Sequence, residues 1–135
     1  MKLVVDASVA AKWLLAEALS PKAQGLVQPE NELVVPELFW AEMGNILWKA
    51  VRKERITGKS ADEALQSMSD LRIPTFPSHP LLRDAFTIAV RFQCTVYDCT
   101  YVALAVASER TLVTADERLA NSLAAHLPVR WLGSV

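Results

Sequence analysis

The stretch KLVVDAS at positions 2–8 shows the pattern around which the rest of the chain is organised. Leu3, Val4 and Val5 form a short apolar run of the kind that makes a buried strand, and Asp6 follows at its end. A helix is predicted to begin at Ser8. In an open α/β fold the carboxyl ends of the strands form the edge at which ligands bind. Asp6 is therefore expected at that edge of the sheet.

Strand-like and helical patterns alternate along the whole chain. The predicted strands are 3–5, 33–35, 73–77, 111–114 and 129–132, and the predicted helices are 8–18, a short one from 20, 37–55, 60–72, 80–92, 97–107 and 117–125. Alternation of this kind predicts a three-layer α/β/α sandwich with a mostly parallel sheet. Gly58 is expected to end the third helix and Ser60, with Glu63 three residues later, to cap the fourth. At this length we expect one domain over residues 1–135.

Composition excludes several classes of protein. Apolar residues make up 52% of the chain and charged residues 21%, a balance typical of folded globular proteins. No apolar run approaches the ~20 residues of a membrane helix, and Asp6 comes too early for a signal peptide. We therefore expect a cytoplasmic protein with no membrane association. The only cysteines, Cys94 and Cys99, and the only histidines, His79 and His126, do not make a zinc ligand set or a paired-histidine ribonuclease.

Four carboxylates occupy positions from which they can meet. Asp6 follows the first strand, Glu42 lies in the helix after the second, Asp98 starts a later helix, and Asp116 comes two residues after the fourth strand. Helix capping is an equally simple interpretation of the three aspartates. Glu42 lies on or beside an apolar helix face, where it needs a partner unless it reaches the solvent. Asn45, one turn later, is placed to orient it. If the acids did not form a site, all three aspartates would have to be helix caps and Glu42 would have to reach the solvent. Because these explanations would all have to hold at once, we expect the four acids to form one site.

An acidic cluster with no assigned basic partner indicates divalent cations. Carboxylate oxygens suit Mg²⁺ or Mn²⁺, and such ions support phosphodiester hydrolysis. The net charge of the chain is −1, so the surface outside the four acids is net positive. Basic residues concentrate near the end of the third helix, where they either hold an RNA backbone or form an ordinary solvated helix end: Lys49, Arg52, Lys53, Arg55 and Lys59. The large aromatics are many for a small core, and some are expected to face a partner: Trp13, Phe39, Trp40 and Trp48.

Four stretches, in order and spacing, resemble the PIN domain family. They are VVDAS at 4–8, PELFWAEMGNIL at 36–47, YDCTYVALA at 97–105 and LVTADERL at 112–119. The resemblance spans nearly the whole chain, whose size is similar to the VapC-type toxins of prokaryotic toxin–antitoxin pairs. It implies a PIN-like α/β/α fold and an endoribonuclease that depends on Mg²⁺ or Mn²⁺. By that match the acidic quartet and its supporting polar residues are Asp6, Glu42, Asp98 and Asp116, with Ser8, Asn45 and Thr114.

The resemblance also implies partners. These are an RNA substrate, a cognate antitoxin whose tail fills a groove near the active site, and a second copy of the chain in a homodimer. Direct metal ligation is expected from Asp6 and Asp98, with Glu42 and Asp116 completing the shell directly or through water.

Other functions fit parts of the pattern. A PIN-like nuclease that processes RNA or cleaves DNA would carry the same acids. A phospho-signalling receiver module is also α/β with acids at strand ends, but it needs an acid pair at the first strand and a lysine after a later one. Here Asp6 stands alone, and no lysine follows Val113. A third alternative is a protein that binds metal without catalysing a reaction.

Overall fold

The computed structural model describes residues 1–135 and is built on a five-stranded sheet whose strand pairs are all parallel. The strands are β1 (Lys2–Val5), β2 (Glu32–Pro36), β3 (Thr75–Phe76), β4 (Thr111–Thr114) and β5 (Val129–Trp131), in the spatial order β3-β2-β1-β4-β5. Parallel strands need crossover connections, and both faces of such a sheet are covered. This is why the central strands β1, β2 and β4 read as continuous apolar runs.

Seven helices flank the sheet and complete the expected three-layer α/β/α arrangement. They are α1 (Ala7–Leu14), α2 (Ser20–Gly25), α3 (Leu38–Arg52), α4 (Gly58–Asp70), α5 (Leu82–Phe92), α6 (Val96–Ala107) and α7 (Glu117–Leu123), with 3₁₀ turns at His79–Leu81 and Leu132–Ser134. Helix α6 packs against β1, β2 and β4, and α5 packs against α6. Helix α1 packs against α2 and α3. None of the helices combines the length and the apolar character needed to cross a bilayer.

The strand order places a topological switch point between β1 and β4. From β1 the chain builds β2 and β3 on one side, and it later builds β4 and β5 on the other. The two strands are aligned so that Val5 lies opposite Val113, and each strand ends beyond that pair. Crevices at such switch points are where open α/β sheets bind ligands. Residues that follow β1 and β4 are therefore brought together by the sheet.

Helix α6 is buried over its middle residues. Every residue from Cys99 to Ala105 is buried, including the large side chain of Tyr101. A helix enclosed on all sides shows little amphipathic pattern. Because its body is held by the core, the first turn of α6 and the side chain of Asp98 on it are fixed relative to the sheet.

Two predicted helix ends were wrong. The first helix stops at Leu14, and not near residue 18, because Leu15 has an extended backbone and its carbonyl accepts a bond from the Ser20 hydroxyl at 3.2 Å. Gly58 begins α4 and does not end α3, and the cap of α4 is Thr57, whose Oγ1 accepts the backbone N–H of Ser60 at 3.0 Å. Thr57 has the extended backbone of an N-cap residue, whereas Ser60 is already helical.

Candidate active site

Asp6 caps helix α1 and lies in the crevice at the same time. Its Oδ1 atom accepts the backbone N–H of Val9 at 3.2 Å and the hydroxyl of Ser8, while Oδ2 accepts neither bond. The residue is only 7% exposed. Burial raises the pKa of Asp6 from 3.8 to about 6, although hydrogen bonds from Ser8, Thr114 and Val9 act to lower it. Capping and site membership are thus compatible, because they involve different oxygens of one carboxylate.

Ser8 and Thr114 join the ends of β1 and β4. The hydroxyl of Ser8 donates to Asp6 and accepts the backbone N–H of Ala115 at 3.1 Å. Thr114 is fully buried, and its Oγ1 accepts the N–H of Asp116 at 3.1 Å. Asp116 is exposed and caps α7 in its turn. The two hydroxyls therefore hold Asp6 and Asp116 at adjacent strand ends.

Glu42 reaches the site from α3 and is held there by a tyrosine. The hydroxyl of Tyr101 donates to Oε1 of Glu42 at 2.7 Å. Burial raises the pKa of Glu42, and the charge of Asp98 raises it further against the lowering effect of this hydrogen bond. The expected orienting residue, Asn45, is exposed and makes no hydrogen bond to Glu42. The hydrogen bond that orients Glu42 in the structure comes instead from Tyr101, and a supporting role for Asn45 stays a prediction.

Asp98 connects the other acids electrostatically. It lies in the first turn of α6, and its backbone N–H donates to the capping Oγ1 of Thr95 at 3.1 Å. Burial raises the pKa of Asp98, and the charge of Asp116 adds to this effect. The charge of Asp98 in turn raises the pKa values of Asp6 and Glu42. The four predicted acids thus share one region of negative charge.

The residues present fit a hard divalent cation. None of the ion pairs in the chain involves these four acids, so no lysine or arginine neutralises them. The nearby thiols are poor competing ligands, because burial raises the pKa of Cys94 and raises that of Cys99 to about 12. No three His, Cys, Asp or Glu side chains lie close enough together to surround an ion directly. A divalent cation here would therefore be held by one or two carboxylates and would keep several of its waters.

Sequence reasoning missed Tyr101 and Thr95. Both lie three residues from Asp98, one on each side, and residues three apart share a helix face. Because α6 was predicted to be a helix, this spacing could have identified Tyr101 as a neighbour of Asp98. Its contact with Glu42 joins residues 59 positions apart in α3 and α6, so it depends on the tertiary structure.

Comparisons with known proteins agree over almost the whole chain. A sequence model of the PIN domain matches residues 3–122. Ribonuclease VapC3 from Pyrobaculum aerophilum is 35% identical over 129 residues, covering 93% of this chain and 97% of that protein. A solved structure from the same organism has a TM-score of 0.74 at 25% identity, over 99% of this chain and 94% of that one. In a toxin–antitoxin complex from Klebsiella pneumoniae, one chain has the same fold, with a TM-score of 0.67, 12% identity and 95% of each chain covered.

Asp6→Asn is expected to stabilise the metal-free protein at neutral pH. Asparagine keeps the capping oxygen but removes a buried charge whose pKa shift, from 3.8 to about 6, corresponds to roughly 3 kcal/mol. Folded Asp6 holds its proton to higher pH than unfolded Asp6, so the wild type loses stability as pH rises from about 4 through about 6. The Asp6→Asn protein is therefore expected to have a larger free energy of unfolding than the wild type at pH ~7.5, and this difference should vanish toward pH ~4.

Urea unfolding in EDTA at both pH values measures this difference. The matched control is Asp116→Asn, which changes a capping carboxylate that is exposed, and a change within about 0.5 kcal/mol is expected. Two results would contradict this description of Asp6: an Asp6→Asn protein that is less stable than the wild type at pH ~7.5, or a gain in stability that does not depend on pH.

Proposed function

The chain belongs to the PIN domain family, among its VapC ribonucleases, and from this premise we propose that Asp6, Glu42, Asp98 and Asp116 form the active site with which it hydrolyses RNA. The observation that supports the proposal is that these acids share one region of negative charge, with pKa values raised for three of them and no basic partner. Strongly perturbed acids in a crevice are a recognised mark of functional sites.

Mg²⁺ or Mn²⁺ is the cofactor that this donor set favours. Asp6 and Asp98 are proposed as direct ligands, and Glu42 and Asp116 as ligands that bind directly or through water. Bound there, such an ion supplies Lewis-acid polarisation of the phosphodiester and a water of lowered pKa. Binding of the ion is also favourable because its charge removes the repulsion between the neighbouring carboxylates.

Other residues of the chain prepare the site without touching RNA. Tyr101 holds Glu42 through one oxygen, so the carboxylate is oriented before substrate arrives. Ser8 fixes the start of α1 to the end of β4 through its two hydrogen bonds. Thr95 caps α6 and so fixes the turn that carries Asp98. Groups that are oriented in advance need no reorganisation during the reaction. This preorganisation is a main source of the rate enhancement at such sites.

An antitoxin is the proposed protein partner. A related fold occurs in the toxin–antitoxin complex from Klebsiella pneumoniae, and this chain has an apolar groove suited to a peptide. The groove lies between α1, α2 and α4 and is lined by Trp13, Leu14, Val27, Met68 and Leu71. Val27 and Leu71 are 43% and 48% exposed, although both are large and apolar. We place an apolar segment of the antitoxin in this groove, whose lining includes none of the four acids, and not in a groove near the active site as the sequence led us to expect.

A second copy of the chain is the other proposed partner. Leu82, Phe86 and Val90 recur every four residues on α5 and are 50%, 58% and 65% exposed. They form one apolar stripe on a helix, which is the pattern of an interface and not of a solvated surface. Phe86→Glu is expected to convert the dimer to a monomer in analytical ultracentrifugation. A wild-type chain that sediments as a monomer at high concentration would remove this part of the proposal.

Asp98→Asn is expected to reduce RNA cleavage by ~100-fold or more, which exceeds what loss of a supporting residue usually costs a metal site. Mn²⁺ should raise the melting temperature of the wild type, because it binds only the folded cluster, and should do so less at pH ~5, where protons compete for the carboxylates. The variant should lack this increment.

Asp84→Asn provides the matched control, because Asp84 is an exposed acid in the first turn of α5. Equal cleavage by a folded Asp98→Asn protein, or full cleavage in excess EDTA, would overturn the assignment. Cleavage of single-stranded DNA as fast as RNA would favour the alternative of a DNA nuclease.

Expression of the chain alone is expected to arrest growth of its host, and co-expression of its antitoxin should relieve the arrest. Leu71→Asp should prevent relief while RNA cleavage persists, since the groove is separate from the four acids. Val106→Asp is the control, because Val106 is a similarly exposed apolar residue, at 49%, on α6. Relief of the Leu71→Asp protein as effective as that of the wild type would exclude this groove as the antitoxin site.

A further inference from the structure

The carboxyl half of α3 carries an exposed aromatic residue within a group of cations. Trp48 is 52% exposed, although tryptophan is large and apolar. The guanidinium of Arg52 lies over its ring at 5.0 Å from the centroid. Together with Lys49 and Lys53 these side chains line one shallow depression on the surface. We call these four residues the α3 platform.

The cations of the α3 platform are free to meet an external charge. Lys49, Arg52 and Lys53 take part in no ion pair within the chain. The neighbouring Arg55 differs, since it pairs with Glu17 at 3.3 Å. Most lysines and arginines of the chain are likewise outside any ion pair, so what distinguishes the α3 platform is that three cations line one depression together with a half-exposed tryptophan. The combination favours an anionic ligand that also has an aromatic face.

Helix geometry connects the platform to the acidic cluster. Lys49 follows Glu42 by seven residues, which is about two turns, so both side chains lie on the same side of α3. Arg52 is ten residues from Glu42, or about 15 Å along the axis. At ~3.4 Å per nucleotide this distance corresponds to about four nucleotides, and to fewer when the strand is extended. Trp48 follows Glu42 by six residues and points about 120° away from it round α3, so a strand held at Glu42 would meet Lys49 and Lys53 first and reach Trp48 by passing round the helix.

We propose that the α3 platform binds single-stranded RNA next to the cleavage site, with one base stacked on Trp48 and the backbone phosphates held by Lys49, Arg52 and Lys53. The inference rests on the proposed ribonuclease function and adds to it the surface that holds the substrate. Stacking requires an unpaired base, so the platform selects single-stranded or looped RNA. Aromatic stacking combined with a cationic track is the common physical solution for such substrates. Arg52, stacked on the indole, orients the ring and also supplies charge.

The test measures binding separately from cleavage. The Asp98→Asn protein is titrated, in EDTA, against a labelled single-stranded RNA of about ten nucleotides, with and without each platform substitution. Trp48→Ala should weaken the dissociation constant roughly 5- to 150-fold, the loss of one stacked base. Trp48→Phe keeps a stacking face and should stay within about threefold of the parent. Circular dichroism verifies that the variants, which change exposed residues, remain folded.

Salt dependence identifies the role of each side chain. For single strands the slope of log affinity against log salt changes by about 0.7 for each phosphate contact. Lys49→Ala should reduce the slope by that amount, whereas Trp48→Ala should weaken binding without changing it. Lys2→Ala is the control, because Lys2 is an exposed lysine at the start of β1, at the opposite edge of the sheet from the acids, and it should change neither quantity.

The outcomes separate this inference from the function on which it depends. Failure of the wild-type chain to cleave RNA would overturn the proposed function. Cleavage of RNA by the wild type, with unchanged binding and slope in the Trp48→Ala and Lys49→Ala proteins, would overturn the platform alone. Loss of antitoxin binding by Trp48→Ala, with RNA binding unchanged, would likewise overturn it and assign the surface to the protein partner.

Discussion

The burial of one carboxylate, that of Asp6, is the constraint on which the site depends. Asp6 follows the central strand β1, caps α1 and lies in the crevice beside β4, and it is only 7% exposed. A buried carboxylate without a basic partner is unfavourable, and hydrogen bonds from Ser8, Thr114 and Val9 offset only part of the cost. The apo protein therefore holds an electrostatic strain that a divalent cation would remove. Under the proposed function, the stability of the fold and the binding of the ion would be coupled through this residue.

The fold holds the other three acids in positions around Asp6. The sheet brings Asp116 to the adjacent strand end, the buried helix α6 fixes Asp98, and Tyr101 holds Glu42 from across the core. Each is positioned by an interaction that also stabilises the fold. The acidic crevice by itself repels an RNA backbone, and the cations on α3, which are in no ion pair, are proposed to hold the strand beside it. The chain thus separates metal binding from the proposed holding of the substrate.

Local patterns predicted much of this structure, and tertiary contacts explain the rest. The apolar run before Asp6 indicates a buried strand and the mostly apolar body of α6 a buried helix, because an element that is buried on all sides has no polar face. The resemblance to the PIN domain, drawn from four short stretches, is confirmed by the match over residues 3–122. Capping is harder to read, since Thr57 and Ser60 are both suitable caps, and only the backbone shows which one precedes the helix. The bond from Tyr101 to Glu42 spans 59 positions, and no local pattern encodes it.

The position of a bound metal ion tests the central claim most directly. Crystals grown with Mn²⁺ above pH ~7, with data collected near the manganese absorption edge, would locate the ion by its anomalous scattering. The account predicts a peak in the crevice between β1 and β4, within about 2.5 Å of carboxylate oxygens of Asp6 and Asp98. A map with no peak there, or a peak bound only by residues outside the four acids, would contradict it.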